Sequence, residues 1–179
     1  MKGIVFTEFL QMVETKFGYE MVDDIITKSD LKSNGIYTSV GTYEHGEMVE
    51  LVTQLHKKSK IEVPTLLKEF GKYLFGTFKK NYGGFFEKAE DSFTFLESIE
   101  HYIHVEVRKL YPDAELPRFE SKRIGEKRLE LVYYSERRMS DFAEGLIEKT
   151  LVHYDEKGKI SKELLEQNGS VVKFIIELE

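Results

Sequence analysis

Three hydrogen-bond donors stand at alternate positions in the stretch "VYYSERRM": Tyr133, Ser135 and Arg137. In an extended strand, alternate side chains share a face, ~7 Å apart. One face then presents a phenol, a hydroxyl and a guanidinium with no carboxylate, and the other presents Val132, Tyr134 and Glu136. A guanidinium flanked by two hydroxyls suits an anion, because its N–H groups pair well with carboxylate or phosphate oxygens. The ordinary alternative is a polar strand face turned to water.

The chain has five histidines: His45, His56, His101, His104 and His153. No two lie four apart around a Glu, so the zincin pattern is absent. His101 and His104 are three apart on a stretch that reads as helix and could in principle chelate a metal. The apolar stripe of that helix runs through Phe93, Leu96, Ile99, Ile103, Val107 and Leu110. At ~100° per residue, His104 lies on the edge of this stripe and His101 nearly opposite. His104 can therefore reach an interior while His101 faces water. An ordinary boundary histidine is the plain alternative for His104. His45, His56 and His153 sit on polar or mixed stretches and are assigned no role.

The elements that must position these groups follow from periodicity and punctuation. "IVFTEFLQMVETKFG" places Val5, Phe9, Met12 and Val13 at helical spacing and stops at Gly18. "GYEMVDDIITKSD" predicts a short helix, and "LKSNG" a turn. "EHGEMVELVTQLHKKSK" and "VPTLLKEFGKYLFGTFKKNYGG" predict two more helices, the latter with Pro64 near its start and a Gly pair after it. "EDSFTFLESIEHYIHVEVRKLYP" predicts one helix from an Asp/Ser cap to about Tyr111, since Pro112 disfavours helix before it. "EKRLELVYYSER" alternates and predicts a strand. "SDFAEGLIEKTLVHYD" predicts a helix with a Ser cap. "GKISKELLE" and "SVVKFIIELE", separated by "QNG", predict a hairpin. The fold class is α+β: a helical N-terminal lobe plus a C-terminal antiparallel sheet with an inserted helix, over residues 1–179 as a single domain.

Composition narrows the function classes. The formal charge of −6 gives no general attraction to nucleic-acid phosphates. Cysteine is absent, which excludes disulfides, Cys-type zinc sites and thiol nucleophiles. No apolar run approaches the ~18 residues of a membrane span, and "MKGIVFTEFLQMVETKFG" lacks a signal-peptide pattern, so a cytoplasmic protein with no membrane partner is expected. The charge runs "HKKSK" and "ESKRIGEKR" read as solvated faces.

A histidine at the edge of an interior, a three-donor anion face and 13 Phe residues converge on one kind of ligand. It is a large, flat, apolar molecule with a metal at its centre and carboxylates at its rim, which describes haem; His is a common axial ligand of haem iron. An exposed strand face and a boundary histidine remain the alternative at this point.

The motifs, taken together, resemble a known family. "YYSER" is similar to the Tyr-x-Ser-x-Arg signature of H-NOX domains, the haem–nitric oxide/oxygen binding family shared with soluble guanylate cyclase. "IHVEVRKLYPDAELPRF" resembles the family's proximal segment: a His, then Tyr-Pro, then a Pro thirteen residues after the His. "MKGIVF" and "AEGLI" also fit, and the resemblance spans the whole chain. It implies the H-NOX fold, with haem b held non-covalently between the lobes and its iron ferrous. His104 would be the proximal iron ligand. Tyr133, Ser135 and Arg137 would bind the propionates, and Pro117 would pack against the porphyrin.

Oxygen-binding members carry a distal Tyr five residues after the signature Arg. Here that position is Phe142, and the supporting polar positions fall on Phe9 and Leu74. The expected distal pocket, lined by Val5, Phe9, Leu74, Phe78, Phe142 and Leu146, has no donor. Oxygen bound to ferrous haem needs one, and such a hydrogen bond contributes about 1.5–3 kcal/mol. The pocket should therefore keep nitric oxide and carbon monoxide and discriminate against oxygen. By resemblance, nitric oxide weakens the bond to His104, freeing its helix and shifting one lobe against the other. No output domain follows the last strand, so the signal is expected to pass in trans to a histidine kinase or a cyclic-di-GMP enzyme (diguanylate cyclase or phosphodiesterase). Some relatives carry a Cys-rich zinc site that this chain cannot form. The rivals are a haem enzyme, which would want a distal His or Arg, a haem carrier, which would lose haem rapidly, and a non-haem anion-binding module, which would be colourless. No catalytic residue is expected.

Overall fold

The computed structural model describes residues 1–179. The N-terminal half is helical: α1 (Gly3–Phe17), α2 (Tyr19–Thr27), α3 (His45–Ser59), α4 (Val63–Asn81) and the single turn α5 (Gly83–Phe86). α1 ends where Gly18 takes φ 86°, a conformation that suits glycine. α4 opens with Pro64 in its first turn, where the missing N–H costs nothing. The Gly pair after α4, expected only to stop it, starts α5 instead. Phe6, Phe9, Met12, Leu51, Leu55 and Phe70 form the centre of this lobe's core.

The C-terminal half holds α6 (Ser92–Ser98), α7 (His104–Leu110), β1 (Arg118–Ile124), β2 (Arg128–Tyr134), α8 (Ser140–His153), β3 (Gly158–Leu164) and β4 (Val171–Leu178). The sheet is antiparallel in the order β1-β2-β4-β3. Alternation in β2 and β4 turns one face inward. Leu129, Leu131 and Tyr133 pair with Ile176, Phe174 and Val172, and all six are buried. α8 and α6 cover that face through Ile147, Leu151, Phe93 and Leu96.

Several expectations need correction. The helix predicted over "EDSFTFLESIEHYIHVEVRKLY" is broken by a π-helical segment, Ile99–Ile103, between α6 and α7. Its wider turn shifts the apolar stripe, and Leu110 ends up exposed. The Asp91 cap does form, accepting from Thr94 N at 2.6 Å. Ser140 is not a cap: α8 begins at it, after Met139, with no side-chain cap. β1 was not expected. "RFESKRI" is polar on both faces, and only Phe119 turns partly inward, so its strand character comes from pairing with β2.

α4 and α8 join the lobes by an unusually close crossing. A Cβ on Gly71 would lie 2.1 Å from Phe142 O, and one on Gly145 would lie 2.1 Å from Lys68 O. Only glycine at both positions lets the backbones approach this far. An ion-pair lattice flanks the crossing: Lys68–Glu144 at 2.7 Å, Lys72–Glu148 at 2.9 Å and Lys162–Glu144 at 2.7 Å.

Candidate functional site

Between the lobes lies a cavity of ≈ 300 Å³ lined by 33 residues, 26 of them hydrophobic, so its occupant must be largely apolar. α1 and α4 contribute Val5, Leu74 and Phe78, and α8 contributes Phe142 and Leu146. The proximal segment supplies Ile103, His104 and Val107, followed by Pro117 and Phe119. Tyr133, Ser135 and Arg137 line the same cavity. Ten of the eleven residues singled out from sequence are thereby brought together. Phe9 is the exception. It is fully buried in the helical core, edge-on to Phe70 at 5.2 Å, and does not line the cavity. A helical period says that Phe9 points inward; it does not say whether it meets a ligand or another helix.

The Tyr-x-Ser-x-Arg array is not a strand face throughout. β2 ends at Tyr134, and Ser135–Arg138 form a turn closed by Arg138 N donating to Ser135 O at 3.2 Å. Ser135 Oγ accepts from Arg137 N at 3.2 Å, which fixes the turn locally. Arg138 takes φ 54°. The chain thus reaches the cavity by a strand end plus a turn. Tyr133 is buried, and its hydroxyl oxygen accepts from Met139 N at 3.1 Å, leaving the phenolic proton to donate. Burial pushes the Tyr133 pKa up, so the phenol stays protonated. Arg137 is 19% exposed and donates to Glu115 O at 2.9 Å and to Glu115 Oε2 at 2.7 Å. Glu115 is 84% exposed, so its hold on Arg137 is the weak kind that a better-placed carboxylate displaces.

His104 is 9% exposed. Its Nδ1 lies 3.2 Å from Glu100 Oε2, the ring's sole hydrogen bond. The same oxygen accepts from Phe119 N at 3.1 Å, and Arg108 Nη2 stands 3.7 Å from Glu100 Oε1. Burial lowers the His104 pKa, with Glu100 opposing in part, so the imidazole is neutral near pH 7. Burial pushes Glu100 up, but the Phe119 amide, His104 and Arg108 outweigh it, and its net shift is downward. A neutral ring whose Nδ1–H points at a carboxylate keeps its Nε2 lone pair for a metal. Glu100 was missed from sequence, although a carboxylate four residues before a helical His is a readable signal.

The other histidines lie outside the cavity. His101 is exposed, His56 Nδ1 bonds Ile61 O at 2.8 Å, and His153 packs on Phe86 with centroids 5.4 Å apart. His45 begins α3.

The model of the Haem-NO-binding family matches residues 2–162. The chain belongs to this family. Solved H-NOX structures are similar over nearly its whole length. The Fe(II) unliganded A71G mutant of the H-NOX protein from K. algicida is 45% identical, with a TM-score of 0.97, covering 100% of this chain and 97% of that one. The IWP-051-bound H-NOX from Shewanella woodyi in its Fe(II)CO state is 39% identical, with a TM-score of 0.84, covering 99% and 94%. The H-NOX protein from S. oneidensis in its Fe(II)NO state is 28% identical, with a TM-score of 0.91, covering 100% and 99%. A search of the curated proteins gave no match. The family is one of haem-binding gas-sensor domains, and the mixed helical and four-stranded architecture is theirs. No helix is long and apolar enough to cross a membrane.

The residues present fit haem. The cavity is apolar, one buried imidazole offers a bare nitrogen to it, and a phenol, a hydroxyl and a guanidinium line it together. The chain has no Cys for thioether attachment, so the fit is to non-covalent haem.

Proposed function

We propose that this chain is a sensor that holds ferrous haem b, binds nitric oxide and carbon monoxide on it, and discriminates against oxygen. When bound, haem would supply a ferrous iron able to bind a diatomic gas. His104 would be the residue that holds the iron, its ring oriented by the bond to Glu100. Tyr133, Ser135 and Arg137 would hold the propionates, Arg137 giving up its bonds to Glu115 for a ligand carboxylate. Pro117, which lines the cavity, would pack against the porphyrin. The observation that carries the reading is the facing wall. Val5, Leu74, Phe78, Phe142 and Leu146 offer no side-chain donor, so a gas whose bound form gains from one finds none. The same wall excludes water.

A histidine kinase or a cyclic-di-GMP enzyme is the partner that the family resemblance suggests, and the chain itself has no catalytic part in this scheme.

The test is spectroscopic. The protein is loaded with haem, reduced without oxygen, and its visible spectrum recorded before and after brief air, then with nitric oxide and carbon monoxide. A spectrum unchanged by air and shifted by both other gases is expected. A stable oxygen-bound spectrum would refute the apolar-wall argument, and failure to take up haem would refute the whole reading.

A further inference from the structure

Glu100 is a carboxylate, 21% exposed, set on the π segment. Burying it is unfavourable unless it is paired, and three groups converge on it, His104 and Arg108 from α7 and Phe119 from β1. His104 Nδ1 and Phe119 N, at 3.2 and 3.1 Å, both reach Oε2, while Arg108 stands near Oε1. The π turn contributes to this arrangement. His104 N–H bonds back to Ile99 O, one residue further than in an α-helix, and the His104 ring meets the Glu100 side chain. Phe119 in turn packs on His104 at 5.9 Å and on Tyr133 at 5.6 Å. The carboxylate therefore ties the imidazole to the second residue of β1.

We propose that Glu100 is a positioning residue whose charge sets the strength of the bond between His104 and the iron. The inference rests on the axial role proposed for His104. A carboxylate accepting the Nδ1 proton fixes the tautomer, holds the ring plane, and moves electron density toward Nε2, making the imidazole a stronger donor. A stronger donor would retain haem longer and yield less readily once nitric oxide is bound. Glu100 is thus the residue that sets how easily the proximal bond lets go. Through Phe119 N, any movement of the imidazole also pulls on the edge strand β1.

Glu100→Gln isolates the charge. Because one oxygen accepts both hydrogen bonds, an amide oxygen can keep both, and only the negative charge leaves. The haem-loaded, ferrous, unliganded full chain is examined by resonance Raman for its iron–histidine stretching band. Haem transfer to apomyoglobin and the spectrum with nitric oxide are followed in parallel. For E100Q the band moves to lower frequency, haem leaves about 10-fold faster, and the fraction of five-coordinate nitrosyl rises. Glu100→Asp keeps the charge at a longer reach and moves the band less. A band in E100Q identical to the parent's overturns the proposal. If E100Q takes up no haem, E100D decides in the same way: a displaced band supports the proposal and an unchanged one overturns it. His104→Gly separates the two levels. If it keeps the parent's band, the axial assignment itself fails. If it loses the band while E100Q leaves it unchanged, only the role of Glu100 fails.

Discussion

Gly145→Ala tests whether the crossing of α4 and α8 sets the width of the cavity. The added Cβ would stand 2.1 Å from Lys68 O and 3.0 Å from Lys72 N, and these are backbone atoms that no rotamer change can move. To reach the 3.4 Å of ordinary contact, the helices must part by about 1.3 Å at this point. Overpacking of this kind costs about 1–3 kcal/mol. For a chain of this length, that lowers Tm by roughly 3–10 °C. The displacement also carries Phe142 and Leu146 on α8 away from Leu74 and Phe78 on α4, which line the same cavity. Thermal unfolding by far-UV circular dichroism reads the first effect, and haem transfer to apomyoglobin reads the second, with faster loss expected. Gly76→Ala on α4 is the control. Nothing lies within 4 Å of its added Cβ, so it should stabilise the helix by about 1 kcal/mol. Equal Tm values for Gly145→Ala and the parent would refute the close-crossing argument.

Phe142→Tyr places a donor on the otherwise apolar wall, and oxygen affinity should rise about 10- to 150-fold, the equivalent of a 1.5–3 kcal/mol hydrogen bond; oxygen titration of the ferrous protein reads it, and no gain would remove Phe142 from the distal site. Arg137→Lys keeps the charge but loses the two-pronged donor that now engages Glu115, so haem should leave about 10-fold faster, while exchange equal to the parent's would mean that the fork is not used. Acid stability should depend on the lattice at the α4–α8 crossing. Burial pushes the Glu144 pKa up, but Lys162 and Lys68 bring it below the ordinary value, and Lys16 and Lys72 do the same for Glu69. Carboxylates with depressed folded pKa values contribute stability above the unfolded value of about 4.3, and that contribution is lost as pH falls through the folded values. Lys68→Met should therefore move the acid-unfolding midpoint to higher pH, followed by tryptophan-free probes such as circular dichroism, and an unmoved midpoint would discount the lattice.

The parts of this protein legible in one dimension are those whose information is local. Leu129, Leu131 and Tyr133 declare a strand because burial on one face of a sheet imposes a period of two. His104 separates from His101 because a three-residue step leaves a net turn of about 60°, which carries the side chain from nearly opposite the apolar stripe to its edge. The Tyr-x-Ser-x-Arg spacing survives even though Ser135 and Arg137 lie past the strand, since the turn keeps them aimed at the same cavity. Tertiary structure decided the rest. β1 has no inward period of its own and exists because β2 offers it a ladder of backbone partners. Glu100, on the π segment, accepts from Phe119 N, a partner nineteen residues away that no local pattern announces. Periodicity turned Phe9 inward just as it turned Phe142, yet one meets Phe70 in the helical core and the other lines the cavity. A hydrophobic pattern encodes which side of an element leaves water, and only the packing of the elements determines what that side meets.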